Sequence, residues 1–202
     1  MNEFDPFGKH NKFNWLKNAT NITLIVMFSM ALLLFGFDAL FFQIQVKGRS
    51  MKPTYIGDGS EIAIVSRYSR INRGDIVIIQ TSNDTLIKRA VAIGGDKISL
   101  VKRSDSLYCY YVVNGEVIDE SYLEEHSEEM GVDYFNRFKN LSRSYVSSVS
   151  IGLVVEETAT IDLEADEIFA LGDNRGDSED STKHGPFKMS QVLGKVISGY
   201  KI

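Results

Sequence analysis

The sequence predicts a mainly β protein, in which an antiparallel β-sheet body follows one N-terminal transmembrane helix. Two features predict this architecture. Residues 22–42 form one unbroken apolar stretch, whereas the later apolar runs are short, rich in β-branched residues and separated by Gly, Asp and Asn. Short runs bounded by turn-forming residues are typical of strands. We therefore expect an all-β body on one helical anchor.

The apolar stretch at residues 22–42 has the length of a membrane span. It contains Asp38 as its only charged residue and would extend roughly 31 Å as a helix, which matches the hydrocarbon core of a bilayer. A cleaved signal peptide has a shorter apolar stretch followed by small residues, but Gln, Ile, Gln, Val and Lys occupy residues 43–47. An uncleaved anchor is the favoured interpretation, and a buried helix of a soluble protein is the remaining alternative.

Basic residues on both sides of this stretch indicate its orientation. Lys9, Lys12 and Lys17 precede it, while Lys47 and Arg49 follow it. The positive-inside rule favours a cytoplasmic N-terminus, so we expect a single-pass protein of the cell membrane whose body is extracytoplasmic.

The predicted strands are punctuated by turn signals. A hairpin is expected around Asn114-Gly115, the strongest short-range turn signal in the chain. Residues 121–148 lack a clean period and predict a loop-rich insert, with a short helix around residues 121–130. The expected strands are residues 60–66, 75–80, 86–93, 97–101, 108–113, 116–118, 150–155, 158–163, 167–171 and 193–198.

The charge balance excludes one class of partner. The chain of 202 residues has a net charge of −5, and most of its acidic excess lies after residue 49. Neutralising a polyanion requires clustered Lys and Arg, so nucleic acid is not an expected partner.

Cysteine and histidine give no sign of a metal or a cofactor. Cys109 is the only cysteine, so no internal disulfide can form, and it is expected to be a small half-buried residue. His10, His126 and His184 are scattered along the chain without the spacing of metal ligands.

Three stretches contain residues that can carry chemistry. The first, residues 48–54, contains Ser50, and Pro53 predicts a stiff, extended segment that could hold a nucleophilic hydroxyl just after the membrane helix. The third, residues 170–181, is rich in turn formers and hydroxyls after a strand. Taken alone, each is more simply interpreted as a solvated polar loop.

The second stretch places a lysine inside an apolar strand. Side chains alternate across a strand, so Lys88 and Ala90 share one face, and Arg89 points to the other. A desolvated lysine loses its charge more readily than a free one and can then remove a proton from a serine hydroxyl near neutral pH. The simpler alternative is a lysine that extends its amine to solvent.

Together, the three stretches resemble the type I signal peptidase family, in its single-anchor Gram-positive form. The similarity lies in Ser50-Met51-x-Pro53-Thr54 after a membrane helix, Lys88-Arg89 with Gly95-Asp96 downstream, and the run from Gly172 to Ser181. It covers the anchor and most of residues 44–100 and 160–202, and fades over residues 102–158.

The resemblance implies a serine–lysine dyad on a signal-peptidase-like antiparallel β-sheet body. Ser50 would be the nucleophile, its backbone N–H an oxyanion donor, and Lys88 the general base. Ser178 would hydrogen-bond the lysine amine, and Asp180 would pair with an arginine. Gly172, Asp173 and Asn174 would shape the site. The domains would be a cytoplasmic segment at residues 1–21, the transmembrane helix at 22–42, a catalytic β core at 43–101 and 159–202, and a variable insert at 102–158.

The chain departs from the family pattern at two positions, and a third, Gly48, varies within the family itself. Thr182 occupies the usual arginine position, and His184 lies where an aromatic residue is common. The Asp180 ion pair is therefore uncertain, with Lys183 and Arg175 as substitute partners. Gly48 removes a side-chain oxyanion donor that some members have.

The function that the resemblance implies is cleavage of signal peptides from exported preproteins after small residues at −1 and −3. Exported preproteins and the lipid bilayer are the expected partners, with the secretion translocon as a further candidate. The alternative is a signal-peptidase-like assembly or chaperone factor for surface or pilus proteins, without general protease activity. A self-cleaving repressor-type peptidase is disfavoured by the membrane helix and the acidic body.

Overall fold

The computed structural model describes residues 9–104, 109–123, 132–142, 144–150 and 154–202. It divides into two compact units, one ending at Phe41 and one extending from Phe42 to Ile202. The predicted helix around residues 121–130 lies largely outside the described residues, and its described part, residues 121–123, forms a turn.

The first unit is a long helix, α1 (Lys9–Leu40). Its segment Asn18–Leu40 has 23 residues and a mean hydropathy of 2.2, and is long and apolar enough to cross a membrane. The side chains of this segment are largely exposed, as expected for a helix that packs on no core of its own. The predicted span included Phe41 and Phe42, but these residues begin a strand. The prediction was wrong here because continuous apolarity does not distinguish the end of a helix from the start of a strand.

A seven-stranded antiparallel sheet forms the larger part of the second unit. Its strands are β1 (Phe41–Lys47), β2 (Asp58–Ser66), β3 (Ile76–Gln80), β4 (Thr85–Ile93), β10 (Glu167–Leu171), β11 (Phe187–Lys188) and β12 (Val192–Lys201). Their order in the sheet is β1-β2-β12-β3-β4-β10-β11, so the last long strand of the chain lies between β2 and β3.

A five-stranded sheet completes the body. Its strands are β5 (Lys97–Arg103), β6 (Cys109–Val113), β7 (Glu116–Val117), β8 (Ser144–Ser150) and β9 (Val154–Asp162), in the order β7-β6-β5-β9-β8. Strand β5 pairs with β9 along its whole length, from Lys97 opposite Asp162 to Arg103 opposite Glu156. The boundaries expected after residues 101 and 158 fall inside these two strands.

The main hydrophobic core joins this sheet to β10 through helix α2 (Val132–Leu141). Phe135 and Phe138 are fully buried, and Phe138 packs edge-on against Phe169 with ring centroids 5.5 Å apart. Tyr111 and Tyr134 share a buried hydrogen bond of 2.9 Å between their hydroxyls. Cys109 lies in this core and is more buried than expected.

The predicted hairpin is present, with its turn at Asn114 and Gly115. Both residues have positive φ, 53° and 88°, which is the geometry that makes Asn-Gly favourable in a two-residue hairpin turn. The strand predicted at residues 150–155 was wrong in its bounds, since Ser150 ends β8 and Val154 begins β9. Strands β1, β8 and β11 were not predicted.

Candidate active site

Ser50 lies in a tight turn between β1 and β2. Lys52 N donates to Arg49 O at 3.2 Å and Tyr55 N donates to Met51 O at 2.8 Å, so the segment predicted to be extended folds back on itself. Met51 is fully buried and anchors the turn beside the nucleophile candidate.

Lys88 lies on β4 and meets this turn. Its Nζ donates to Ser50 Oγ at 2.8 Å and to Ile87 O at 2.9 Å. Only 2% of the Lys88 surface is exposed, and Ala90, on the same face of the strand, is fully buried. The structure therefore brings together the two residues predicted to form the dyad.

Burial is the main reason why the Lys88 amine is easily neutralised. It lowers the pKa of Lys88 from 10.5 to about 8, against the opposing effect of the carboxylates of Asp180, Asp173 and Glu179. A large fraction of the amine is therefore uncharged slightly above neutral pH and can accept a proton from Ser50.

Gly172, directly after β10, lies against the nucleophile turn. A Cβ at this position would lie 2.5 Å from Ser50 O and would also overlap Ser178 Oγ, so only glycine fits. The Gly172 N–H donates to Asp180 Oδ2 at 3.1 Å. The residue thus links the nucleophile, Ser178 and Asp180 through its backbone.

Ser178 lies in the site but does not make its predicted bond. Its Oγ is buried and has no hydrogen-bond partner, so the expected contact with the Lys88 amine is not formed in this structure. A buried hydroxyl without a partner is unfavourable, and such groups are concentrated at functional sites. Ser178 and Lys88 line the same cavity.

Asp173 and Asn174 fix the loop after β10 to the rest of the site. The Arg89 guanidinium binds the fully buried Asp173 carboxylate through Nε at 2.8 Å and Nη2 at 2.6 Å. Asn174 N donates to Ser50 O at 2.9 Å and its Nδ2 donates to Arg49 O at 3.2 Å. Both residues therefore tie this loop to β4 and to the nucleophile turn.

Asp180 is held by neutral donors. Thr182 donates to Asp180 Oδ1 from its backbone N–H at 3.0 Å and from its hydroxyl at 2.8 Å. Of the two substitute partners considered for Asp180, Lys183 pairs with Glu179 and Arg175 pairs with Glu120. Thr182, at the position where the family usually has arginine, thus holds Asp180 by hydrogen bonds in place of the expected ion pair.

His184 retains an aromatic contact at the other divergent position. Its ring centroid lies 6.1 Å from that of Phe187. Its Nε2 lies 3.4 Å from Glu179, whose carboxylate also binds Lys183.

Two backbone groups near the dyad have different roles. Within the described part of the chain, no group accepts a hydrogen bond from Ser50 N–H, so this donor is available to a ligand. The Gly48 N–H is already used, since it donates to Gly57 O at 2.9 Å.

Two hollows are lined by residues of β4. A cavity of about 290 Å³ contains Ser50, Lys88 and Ser178, and is also lined by Leu86. A groove of about 250 Å³ runs between β1 and β4 and is lined by Ile44, Val46, Ile87 and three neighbours. Among the described residues, no three His, Cys, Asp or Glu side chains are grouped to hold a metal ion.

Sequence reasoning missed the two arginines that organise the site. Arg89 was assigned only to the opposite face of the strand from Lys88, and Arg175 only to a possible pairing with Asp180. The signal for Arg89 was its place directly after the lysine, with Asp173 as a candidate partner. The signal for Arg175 was weak, because its partner Glu120 lies 55 residues away in the insert.

The sequence of the chain matches one family of known proteins over most of its length. Residues 16–200 match the family described as signal peptidase, peptidase S26. Signal peptidase IB of Staphylococcus aureus strain Mu50 is 30% identical over 158 residues, which cover 75% of this chain and 73% of the relative. Signal peptidase I of Bacillus caldolyticus is 30% identical over 160 residues, covering 77% and 76%.

A crystal structure of a signal peptidase I from Enterococcus faecalis has a TM-score of 0.40 and 21% identity, and covers 64% of this chain and 98% of the other. The sequence comparisons first define the class of the protein, which is that of a peptidase. More specifically, the chain belongs to the signal peptidase family, peptidase S26.

Proposed function

We propose that the protein is a membrane-bound signal peptidase I, which cleaves signal peptides from exported preproteins with Ser50 as nucleophile and Lys88 as general base. The observation that carries the proposal is the 2.8 Å bond between Lys88 Nζ and Ser50 Oγ, with the amine buried. A lysine that merely stabilised the fold would gain more by extending its amine to solvent.

The proposed reaction begins with the uncharged Lys88 amine. It accepts the Ser50 hydroxyl proton while Oγ attacks the scissile carbonyl, and the resulting ammonium protonates the departing amine. Water, activated by the same amine, then hydrolyses the acyl-enzyme. The unoccupied Ser50 N–H is the expected oxyanion donor, worth about 3 kcal/mol in the transition state.

The groove beside the dyad supports cleavage of an extended peptide. Strand β10 pairs with β4 only from Arg89 to Ile93, so the part of β4 nearest the groove is not covered by β10. An extended peptide lying there would place alternate side chains on the same side. The apolar lining at Ile44, Val46 and Ile87 suits small apolar residues at −1 and −3.

The apolar helix gives the proposed location. We assign α1 as the single anchor, with a cytoplasmic N-terminus and an extracytoplasmic body, from its length and the flanking lysines. Exported preproteins are the proposed substrates, with the bilayer and the secretion translocon as the surroundings in which they are met.

The test is cleavage of a preprotein with an Ala-x-Ala site by the detergent-solubilised full chain. Ser50→Ala and Lys88→Ala are compared with Ser147→Ala and Lys97→Ala, which alter exposed residues of the same types on the other sheet. We expect cleavage by the wild type and both controls, and none by the two dyad variants. A wild type that binds preprotein without cleaving it, where a control signal peptidase works, would instead favour the assembly or chaperone role.

A further inference from the structure

A short turn at the start of the insert contacts both arginines of the active-site loop. The turn, residues 120–122, is here called the clasp. Glu120 forms an ion pair with Arg175, and the Tyr122 ring lies under the Arg89 guanidinium, with 4.0 Å between the guanidinium carbon and the ring centroid. The Tyr122 hydroxyl donates to Glu120 Oε1 at 3.3 Å and accepts from Arg175 Nη2 at 3.4 Å.

Arg175 transmits this contact to the loop backbone. It is 3% exposed, and its Nε donates to Gly172 O at 3.0 Å. Burial lowers the pKa of Arg175, but the Glu120 carboxylate together with Tyr134 and Tyr111 raises it by more, so the guanidinium stays charged in the interior. A buried charge of this kind depends strongly on its partner.

Arg89 transmits the second contact. Its guanidinium holds Asp173 through two hydrogen bonds, and its Nη1 donates to Gly74 O at 2.9 Å. Tyr122 therefore covers Arg89, which binds Asp173, the residue that follows Gly172. The clasp thus contacts the loop through two arginines: Arg175, which binds Gly172 O, and Arg89, which binds Asp173.

We propose that Glu120 and Tyr122 are positioning residues, which hold Gly172 against the nucleophile turn and so keep Ser50, Lys88 and Ser178 in their relative places. The inference rests on the proposed function and adds a role for the insert in controlling that site. Its reach follows from the close approach of Gly172 to Ser50 O and from the hydrogen bond of Asn174 N to the same oxygen, since a displaced loop no longer supports the nucleophile turn.

The carboxylates that act directly on the Lys88 amine are those of Asp180, Asp173 and Glu179. A change at Glu120 therefore reaches Lys88 by moving the loop. Looser packing hydrates the amine, and its pKa should rise toward the ordinary value because burial is what lowers it. The other charged groups that line the cavity are Arg49, Asp177 and Lys183.

The first test compares Glu120→Gln with Glu116→Gln in the full detergent-solubilised chain. Glu116 is exposed on β7 and offers the same charge change four residues away. We expect Glu120→Gln to reduce kcat roughly ten- to hundredfold with little change in KM, as for a small misplacement of reacting groups. We also expect the rising limb of its pH–rate profile to move to higher pH. Glu116→Gln should match the wild type. Equal kcat and pH profiles for Glu120→Gln and the wild type would overturn the proposal.

A second readout does not depend on peptidase activity. Competitive acetylation, quantified by mass spectrometry across a pH series with the exposed Lys97 as internal reference, reports the pKa and accessibility of the Lys88 amine. We expect a higher pKa and, above that pKa, faster labelling in Glu120→Gln, and a smaller change in Tyr122→Phe, which keeps the ring on Arg89. Unchanged Lys88 labelling in Glu120→Gln would refute the clasp even if the wild type cleaves. Inactive wild type with shifted labelling would refute the proposed function alone.

Discussion

The Thr182 hydroxyl lies 2.8 Å from Asp180 Oδ1, in a site where related sequences are expected to carry arginine. Asp180 is 1% exposed, and its other oxygen accepts from Gly172 N–H. A carboxylate at the same depth can thus be held by an ion pair or by several neutral donors, provided that each oxygen is hydrogen-bonded. The departure at Thr182 changes the donors and keeps the connection to Gly172.

Thr182→Val is expected to destabilise the body while leaving the dyad in place. Valine has nearly the same shape but removes the hydroxyl donor from a buried carboxylate, a loss of about 1.5–3 kcal/mol. For a chain of this size, each kcal/mol lowers Tm by roughly 2–4 °C. Thermal unfolding followed by circular dichroism measures the shift. Thr158→Val on β9 is the control, and a Tm equal to that of the wild type would show that the hydroxyl bond contributes nothing.

The rate of cleavage should increase with pH up to about 8. Only the uncharged Lys88 amine accepts the Ser50 proton, and burial lowers its pKa to about 8. Below that value, the active fraction falls about tenfold for each pH unit, and above it kcat/KM should level off. The measurement is kcat/KM between about pH 6 and 9.5, with a substrate that has no ionisable group near the cleavage site.

Two outcomes would contradict this assignment. A rate that is constant across the range would mean that the amine is not the base. A rate that is still increasing tenfold per unit at the top of the range would mean that the Lys88 pKa stays near its ordinary value of 10.5 and that burial does not act as described. Wild-type Tm is recorded at each pH so that unfolding is not mistaken for titration.

The dyad was predicted from the resemblance of three short stretches to one family. Alternation along β4, which has almost the predicted bounds, determines only the face on which Lys88 lies. The contacts of Ser178 could not be predicted, since a short loop such as residues 172–178 has no periodicity that orients a hydroxyl. Strand β1 was missed because its apolar start continues the apolar helix, and β8 because its serines resemble a loop. The Glu120–Arg175 pair depends on the folding of the insert against the body, which sequence spacing does not reveal.

Gly172→Ala should lower activity about a hundredfold with only modest loss of structure. The new Cβ would lie 2.5 Å from Ser50 O and overlap Ser178 Oγ, so the nucleophile turn must move away from Lys88. A shift of this size in reacting groups lowers rates by about a hundredfold. Gly176→Ala is the matched control in the same loop, because its nearest neighbour would be Asn174 Oδ1 at 3.9 Å, an ordinary contact. Cleavage rates are compared at a temperature well below the Tm of all three proteins, and equal rates for the two variants would mean that the close approach is unimportant.

Ser178→Ala should separate stability from catalysis. The Ser178 hydroxyl is buried without a partner, so its removal relieves an unsatisfied polar group, and we expect Tm to stay the same or to rise. If the hydroxyl binds the Lys88 amine once substrate fills the cavity, its loss weakens a bond to a group that becomes charged, worth about 1.5–3 kcal/mol, and cleavage should fall roughly ten- to hundredfold. Ser178→Thr, which restores a hydroxyl, should recover part of the rate if the cavity admits the methyl group. Full activity in Ser178→Ala would show that the orphaned hydroxyl has no part in the reaction, and a lower Tm would show that it has a structural partner after all.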